Sequence, residues 1–597
     1  MAEIKKGLNL NPKTEGEIKK LVDSIFQQSE DYRRDYERDW EDAYKLYYGY
    51  VDLRGRDPNL LQAAIPRAFT LTETIFPEDV KAMLGQKPYF PIEPKLEAWR
   101  GNTEAMEKLM DCASDDDNLF YNFALGLKQR RICGNMIVEP YWRFEIKEKG
   151  VNKEKKVKGF VVGAPSESMQ YIDQGLAWRI HSPWNVGVDP YKGMVDRMRW
   201  SYLKQPVSRT EIEAMMKLGK YLKKPEELVN DENHDMDKVK QYIEADLGYG
   251  VSSSESDMGE LVRVFLPMSG RYIEVWGSKD MGVHVIRDTL NPYPFVPIVN
   301  FPNTLDPFPE RFYHIGEIRP NAQMFAMLND AYSQLFNSQQ QSMDPPMLYP
   351  EGWIDPQGMV AAPGQRTPYN PMYADRIQQS IFPLPLKGLD KDAYEIPDRI
   401  SQIIDGTAGV PAPAQGQFPE RKELAYTVRK VTEGADSRTE VKVKIALDSM
   451  RELAKKSLKV LGDNITEDIV AKTLGDEARY YVMKDPDEIP GGYEFRFKGP
   501  DVIADSEAKM QVKIAMFDRA QPDIANRAEF YKILLEGTDA FTQEETERIT
   551  NVAQQGMPAE QGMAGAEQGM QAPQGQPAAP TSPPQAPQTQ QIDAGAV

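Results

Sequence analysis

Apolar residues recur along this chain with a period that changes from segment to segment. Thr14 and Glu17 form a T-x-x-E capping box, and Ile18, Leu21, Val22 and Ile25 follow at helical spacing, so an amphipathic helix begins there. It continues with an aromatic stripe, Tyr32, Tyr36, Trp40, Tyr44 and Tyr48, and stops at Gly49. Steps of four place these rings on one helix face, which reads as a packing seam, with a base-stacking platform as the alternative. From about Pro77 to Trp276 short strand-like runs alternate with charged helices. A helix in the 106–131 region precedes Met136, Ile137 and Val138, which lead into Tyr141, Trp142, Arg143 and Phe144. Residues 229–260 are polar and acidic, the composition of an exposed insertion. Leu261–Leu266 and Tyr272–Trp276, joined by Met268, Ser269 and Gly270, carry the signature of a hairpin. The pattern predicts an α+β fold with antiparallel strands rather than regular βαβ repeats.

Pro292, Pro294 and Pro297 mark a change of character. Helical periodicity runs from about Arg319 to Gln341, with Pro320 in the first turn, a span of about 35 Å. Ile318, Ala322, Phe325, Tyr332 and Phe336 make one stripe, and Met324, Leu328, Ala331 and Leu335 a second. Arg319, Gln323, Ala326, Asp330, Ser333, Asn337 and Gln341 make a third, small and polar. Two apolar flanks and one polar face suit a helix wedged between like neighbours around a wet cavity, with Phe325, Leu328 and Leu335 in the subunit contacts. Residues 344–390, rich in Pro, Gly and aromatics, read as an irregular projection with short strands. A helix returns over Asp392–Ile404, a Gly/Pro loop follows to Lys422, and a long helix runs from Leu424 to Val460 with a kink expected near Gly434. A second α+β patch includes Tyr480–Met483 and Tyr493–Phe497, and helices resume near Glu507 and Ile524–Leu535. No Lys or Arg occurs beyond Arg548, and Gln-Gly-Met near-repeats run into Gln/Pro/Ala sequence, so 551–597 reads as disordered.

Composition narrows the classes. A length of 597 residues sets a prior of three to four domains, or one large subunit built from several segments. Hydrophobic residues at 41%, charged residues at 27% and a mean hydropathy of -0.57 exclude a collagenous, wholly disordered or multi-span membrane chain and lead us to expect a soluble one. Lys and Arg total 72 against 91 Asp and Glu, a net charge of -19, which argues against gripping nucleic acid through its phosphates but allows DNA to pass. Cys112 and Cys133 are too few for a disulfide scaffold or a cysteine zinc site, and are expected as reduced, packed thiols. No secretory run opens the chain, and synthesis in a reducing, intracellular compartment is expected. No phosphate loop, dinucleotide fingerprint, nucleophile elbow or H-E-x-x-H helix is present. His181, His234, His284 and His314 are scattered, and Asp115–Asp117 and Asp231-Glu232 read as solvated faces rather than cation sites. The sequence therefore assigns no catalytic, cofactor-binding or metal-binding residue, and no enzyme is expected.

The order of segments carries the strongest signal. The helix with Trp40 and Tyr44 before Tyr47-Tyr48-Gly49, then Cys133-Gly134-Asn135-Met136 before Tyr141-Trp142, then the run from His181-Ser182-Pro183-Trp184 to Asp189-Pro190, resembles the portal proteins of tailed bacteriophages. Tyr293-Pro294-Phe295-Val296-Pro297 and the Gln323 and Asn329 helix continue the likeness, which covers most of 1–550 and is nearest to portals of short-tailed phages. The resemblance implies a ring, usually dodecameric, at one vertex of the capsid in the virion, assembled from subunits made in the host cytoplasm. Double-stranded DNA passes through its channel. Implied partners are the terminase large subunit that supplies the energy for packaging, tail adaptor and head-completion proteins, and the major capsid and scaffolding proteins. It implies a wing over 1–313 and 423–520, stem helices over 314–343 and 391–408, a clip over 344–390, a tunnel loop over 409–422 and a crown over 521–550. Gln323, Asp330 and Asn337 would then face the channel with Phe418, Glu420, Arg421 and Lys422 of the tunnel loop, while Tyr349, Trp353, Tyr369, Tyr373 and Phe382 would serve docking at the clip. The rival readings are a hydrolase without a recognisable motif and a ring-shaped adaptor or scaffold without a DNA channel.

Overall fold

Thr14 holds extended backbone and its Oγ1 accepts the Glu17 N–H at 3.3 Å, while Glu17 Oε2 accepts the Lys13 N–H at 2.7 Å. The capping box thus closes as the sequence demands, its return bond taken one residue early. It launches helix α1, Glu15–Tyr47, in a computed structural model whose described residues are 10, 12–50, 60–85, 87–95, 99–157, 160–217, 219, 221, 258–276, 284–343, 347–348, 382–383, 391–409, 425–475, 485, 488–495 and 497. All belong to the first of two compact units, Met1–Gly499. The second, Pro500–Val597, lies outside the described residues together with the helices expected near 507 and 524–535, the crown and the tail. The strand expected at Tyr480–Met483 and nearly all of the acidic insertion lie outside them too; only Met258–Glu260 of the latter is described, opening a strand.

The aromatic stripe is a packing seam. Tyr32, Tyr36 and Trp40 gather around Tyr313 at centroid distances of 5.7, 5.3 and 5.1 Å, and Trp40 and Tyr44 lie 5.0 and 5.8 Å from Trp184. Tyr313 is fully buried and donates its hydroxyl to the Val186 carbonyl at 2.6 Å. Gly49, at φ +69°, lets the chain leave the helix where a side chain would be strained.

Two helices that sequence punctuation obscured come next. Helix α2, Arg67–Leu84, runs through Pro77, which costs an internal hydrogen bond and made the segment look like a boundary. The single helix expected around 106–131 is two, α3 (Arg100–Asp116) and α4 (Leu119–Cys133), broken because Asn118 takes the left-handed conformation at φ 51°. Strand β1, Ile92–Pro94, lies between α2 and α3.

Strands β2 (Asn135–Val157) and β3 (Phe160–His181) pair from Ile137 opposite His181 to Val157 opposite Phe160, far beyond the run legible at Tyr141–Phe144. Five antiparallel strands form a second sheet in chain order: β4 Val186–Val188, β5 Ser201–Ser208, β6 Met258–Leu266, β7 Arg271–Trp276 and β8 His284–Leu290. Helix α5, Arg209–Lys217, follows β5. The β6–β7 hairpin forms as expected, turning through Pro267–Ser269 and Gly270 at φ +61°. Strand β9, Val299–Pro302, joins the first sheet in the order β3-β2-β9. Glu139 of β2, His181 of β3 and Arg263 of β6 tie the two sheets together: Glu139 Oε2 lies 2.8 Å from His181 Nε2 and accepts Arg263 Nη2 at 2.7 Å. Burial opposes ionisation of Glu139, yet Arg263 overrides it and holds the carboxyl far below the ordinary range.

Helix α6 spans Ala322–Met343, strands β10 (Met347–Leu348) and β11 (Phe382–Pro383) pair with each other, and helix α7 spans Lys391–Ala408. Helix α8, Ala425–Asn464, runs unbroken through Gly434, and its buried residues from Val443 to Leu461 enter one core with Phe123, Trp178 and Phe301. The short helices α9 (Glu467–Leu474) and α10 (Ile489–Gly492) follow, and strand β12, Tyr493–Phe495, pairs with β1, so the chain's return seals the same core. The fold is α+β. Among the described residues no helix is long and apolar enough to cross a membrane. Cys133 is buried as expected, whereas Cys112 is exposed.

Because the seam closes on Tyr313, Tyr313→Ala should cost about 3–5 kcal/mol in urea unfolding. Tyr48→Ala, at the half-exposed end of the stripe, should change stability by no more than about 0.5 kcal/mol.

Candidate functional site

Gln323, Phe325, Leu328, Asp330, Leu335 and Asn337, expected to face a channel or make subunit contacts, all lie on α6, which packs against α7. Arg319–Asn321 forms a tight turn with Pro320 inside it, and α6 follows directly. Phe325 and Leu328, exposed by only 3% and 1%, pack in one cluster with Ile400 and Ile404 of α7. β10 and β11 pair just beyond the end of α6 and shortly before the start of α7, so the two helices run antiparallel. This corrects the sequence reading: Phe325 and Leu328, expected as subunit contacts, are buried in the chain's own core, because α7 fills that flank. Leu335 is half-buried.

The polar face of α6 is also partly spent within the chain. Asn329 Oδ1 accepts the Ile65 N–H at 2.9 Å, and Ser333 Oγ accepts the Ala63 N–H at 2.9 Å. Asn337 Oδ1 accepts the Leu61 N–H at 2.7 Å and its Nδ2 donates to the Leu61 carbonyl at 2.9 Å. Every fourth helical residue meets every second residue of an extended strap. Four helical steps rise about 6 Å and two extended steps about 6.6 Å, so three contacts fit before the mismatch matters. Asn337, expected to face a channel, holds its own chain instead, whereas Gln323 and Asp330 are exposed. Met327, three residues before Asp330 and four after Gln323, is exposed on their face, as is Phe336 on the α6 flank and Tyr394, Ile396 and Ile403 on α7.

A buried ionic cluster anchors the root of this helix pair. Asp79 accepts Arg130 Nη1 at 3.0 Å and both Nε and Nη2 of Arg131 at 2.6 Å. Arg130 also donates to the carbonyls of Pro302 and Lys442, at 2.9 and 2.8 Å. Glu317, two residues before the α6 turn, accepts Lys442 Nζ at 2.7 Å, Asn303 Nδ2 at 3.2 Å and Arg131 Nη1 at 3.4 Å. Burial works against the Asp79 carboxylate, but Arg131 and Arg130 outweigh it and keep it below the usual range; burial pushes Arg130 down to about 10, still protonated at neutral pH. The chain can bring Glu317 here because two glycines cross: a Cβ on Gly134 would lie 2.3 Å from the His314 carbonyl oxygen, and one on Gly316 2.2 Å from that of Ile132. The sequence held a trace of the cluster in two consecutive arginines directly before Ile132 and Cys133, at the end of a helix.

Phe418, Glu420, Arg421, Lys422, Tyr349, Trp353, Tyr369 and Tyr373 lie outside the described residues. Phe382 lies in β11. Asp117 accepts the Trp178 N–H at 2.8 Å. No protein-family model matches this chain, and a search of curated proteins finds no matching relative.

Asp79→Ala strands two buried guanidinium groups and should cost about 3–5 kcal/mol in chemical denaturation. His314 yields a second prediction, on pH. Its Nδ1 accepts the Asp306 N–H at 3.2 Å, and burial pushes the imidazole down to about 4 against the opposing pull of Asp306. Between about 4 and 6.5 the unfolded chain binds a proton that the folded chain refuses. This contribution, on the order of 3 kcal/mol, is complete above pH 6.5 and is lost as pH falls toward 4. His314→Asn, whose amide oxygen can replace Nδ1, should flatten that part of a stability–pH curve.

Proposed function

We propose that this chain is the subunit of a portal ring, the DNA conduit at one capsid vertex through which a separate terminase ATPase packages the genome and onto which tail adaptors dock. The observation that carries the reading is the outer side of the α6–α7 pair. After the pair has buried Phe325, Leu328, Ile400 and Ile404 in one cluster, Phe336, Tyr394, Ile396 and Ile403 remain in water. Apolar residues on the outside of both helices are what a helix pair needs when copies of itself stand on either side.

On this reading α6 and α7 are the stem, and the segment they bracket, closed at its base by β10 and β11, is the clip. The two sheets with α1–α4 and the returning α8–β12 form the wing. Exposed Gln323 and Asp330 would line the channel, and Asn337 leaves that set. The net charge of -19 fits a wall that lets a polyanion slide. The ring is expected to hold about twelve subunits, with the capsid and scaffolding proteins around its wing.

Native mass measurement and electron microscopy test this directly: a ring of about twelve copies with an axial opening is expected, and a monomer or dimer overturns the reading. Phe336→Asp combined with Ile403→Asp should leave folded monomers, since each exposed side chain gives up roughly 1.5–3 kcal/mol of burial in the assembly. Phe325→Asp should instead unfold the subunit, which circular dichroism distinguishes.

A further inference from the structure

β9 pairs with β2 only as far as Val138, and from Glu139 outward β2 keeps β3 alone among the described residues. At Glu139 a cavity of about 610 Å³ opens between β2 and the second sheet. Its size falls within the range of roughly 300–1,000 Å³ typical of small-molecule sites. Tyr141 and Arg179 line it from the first sheet, Gln205, Arg263, Tyr272, Glu274 and Arg287 from the second, and Tyr293 from the segment after β8. The Arg179 guanidinium lies 4.3 Å from the centre of the Tyr141 ring and donates to Gln205 Oε1 at 2.6 Å, which holds that wall in place.

The wall formed by the second sheet carries an unfinished pair. Arg263 of β6 and Glu274 of β7 are direct cross-strand partners, so their side chains stand side by side on one face. Glu139 takes both Nη atoms of Arg263, and the Tyr272 hydroxyl donates to Glu274 Oε1. Arg263 Nε and Glu274 Oε2 are left buried, and neither has a hydrogen-bond partner. A buried polar atom left unpaired costs about 1–3 kcal/mol, more when its group is charged, and native folds keep few of them. Here one donor and one acceptor remain on adjacent residues that both line the cavity, and Glu274 is only 5% exposed.

A molecule that completes both atoms must offer an acceptor beside a donor on one edge. A simple anion fails, because it has no proton to give a carboxylate that can only accept. Aromatic walls favour a flat ring over a sugar or a flexible chain. Nucleobases meet both demands, since their pairing edges set a ring nitrogen or carbonyl beside an N–H, and proteins read those edges between aromatic side chains. Arg287 also lines the cavity; its side chain is 36% exposed and stands 3.9 Å from Glu274, too far for a hydrogen bond. We propose that this cavity is a mononucleotide site, with the base edge on Arg263 Nε and Glu274 Oε2, the ring among Tyr141, Tyr272 and Tyr293, and the phosphate on Arg287. The site lies within one copy of the chain and stands whether or not the portal reading does.

Isothermal titration calorimetry of the full-length protein with GMP, AMP and UMP tests this. At least one of them is expected to saturate a single site per chain, and ribose 5-phosphate, which lacks the base, to bind about tenfold more weakly or worse. Glu274→Leu removes the acceptor and should weaken that nucleotide about tenfold. Arg287→Ala should weaken the nucleotide by about the same factor yet leave the matching nucleoside unchanged. Circular dichroism checks that both variants are folded. The site is overturned if no nucleotide saturates, if ribose 5-phosphate binds as tightly as the nucleotide, or if folded Glu274→Leu keeps full affinity. Should Glu274→Leu fail to fold, Arg287→Ala decides alone, and an unchanged nucleotide affinity in that variant overturns the site.

Discussion

Two adjacent arginines buried on a single aspartate set the terms for most of this fold. Arg130 and Arg131 sit at the end of α4 with essentially no exposure, and removing two guanidinium groups from water is costly unless each finds charge and hydrogen bonds. Asp79 supplies the charge from α2, the carbonyls of Pro302 and Lys442 take the remaining Arg130 donors, and Glu317 takes the outer nitrogen of Arg131. Those partners come from four places in the sequence, so satisfying one dipeptide fixes α2, β9, the approach to α6 and α8 relative to α4. An apolar cluster would bind these elements as firmly but would tolerate sliding; the directional bonds do not.

The same economy governs the root of the α6–α7 pair. Glu317 reaches Arg131 only because Gly134 and Gly316 let two backbones pass in contact, and the backbone bonds from Glu317 N–H to the Arg131 carbonyl and from Asn303 N–H to the Gly134 carbonyl, at 2.8 and 2.9 Å, depend on that passage. The orientation of α6 is therefore decided before the helix begins. The strap over 61–65 then holds its polar side, and Ile400 and Ile404 its apolar side.

Much of this was legible in the sequence where one local rule decided the outcome. The Thr14 box, the aromatic seam, the β6–β7 hairpin and the start of α6 each depend on residues a few positions apart. Legibility failed where a distant partner chose. Pro77 disguised α2 because a buried Asp79 two residues on, which needs the arginines of α4, gives the helix a reason to continue. Asn118 split a helix whose apolar pattern runs through the break. The stripes of α6 were read correctly as stripes, yet Phe325 could not announce whether α7 or a neighbour would cover it, nor Asn337 that an extended strap would match its spacing.

Strands β10 and β11 are only two residues long, but the pairing of Met347 with Pro383 joins the chain shortly after α6 to the chain shortly before α7. Once those ends are held, the closure entropy of whatever lies between them grows only logarithmically, by about 0.6 kcal/mol for each doubling of length. The helix pair is therefore insulated from the size of the segment it carries. Evolution can lengthen, shorten or exchange that segment while the helices beneath it keep their register, which makes this the place on the chain where novelty is cheapest.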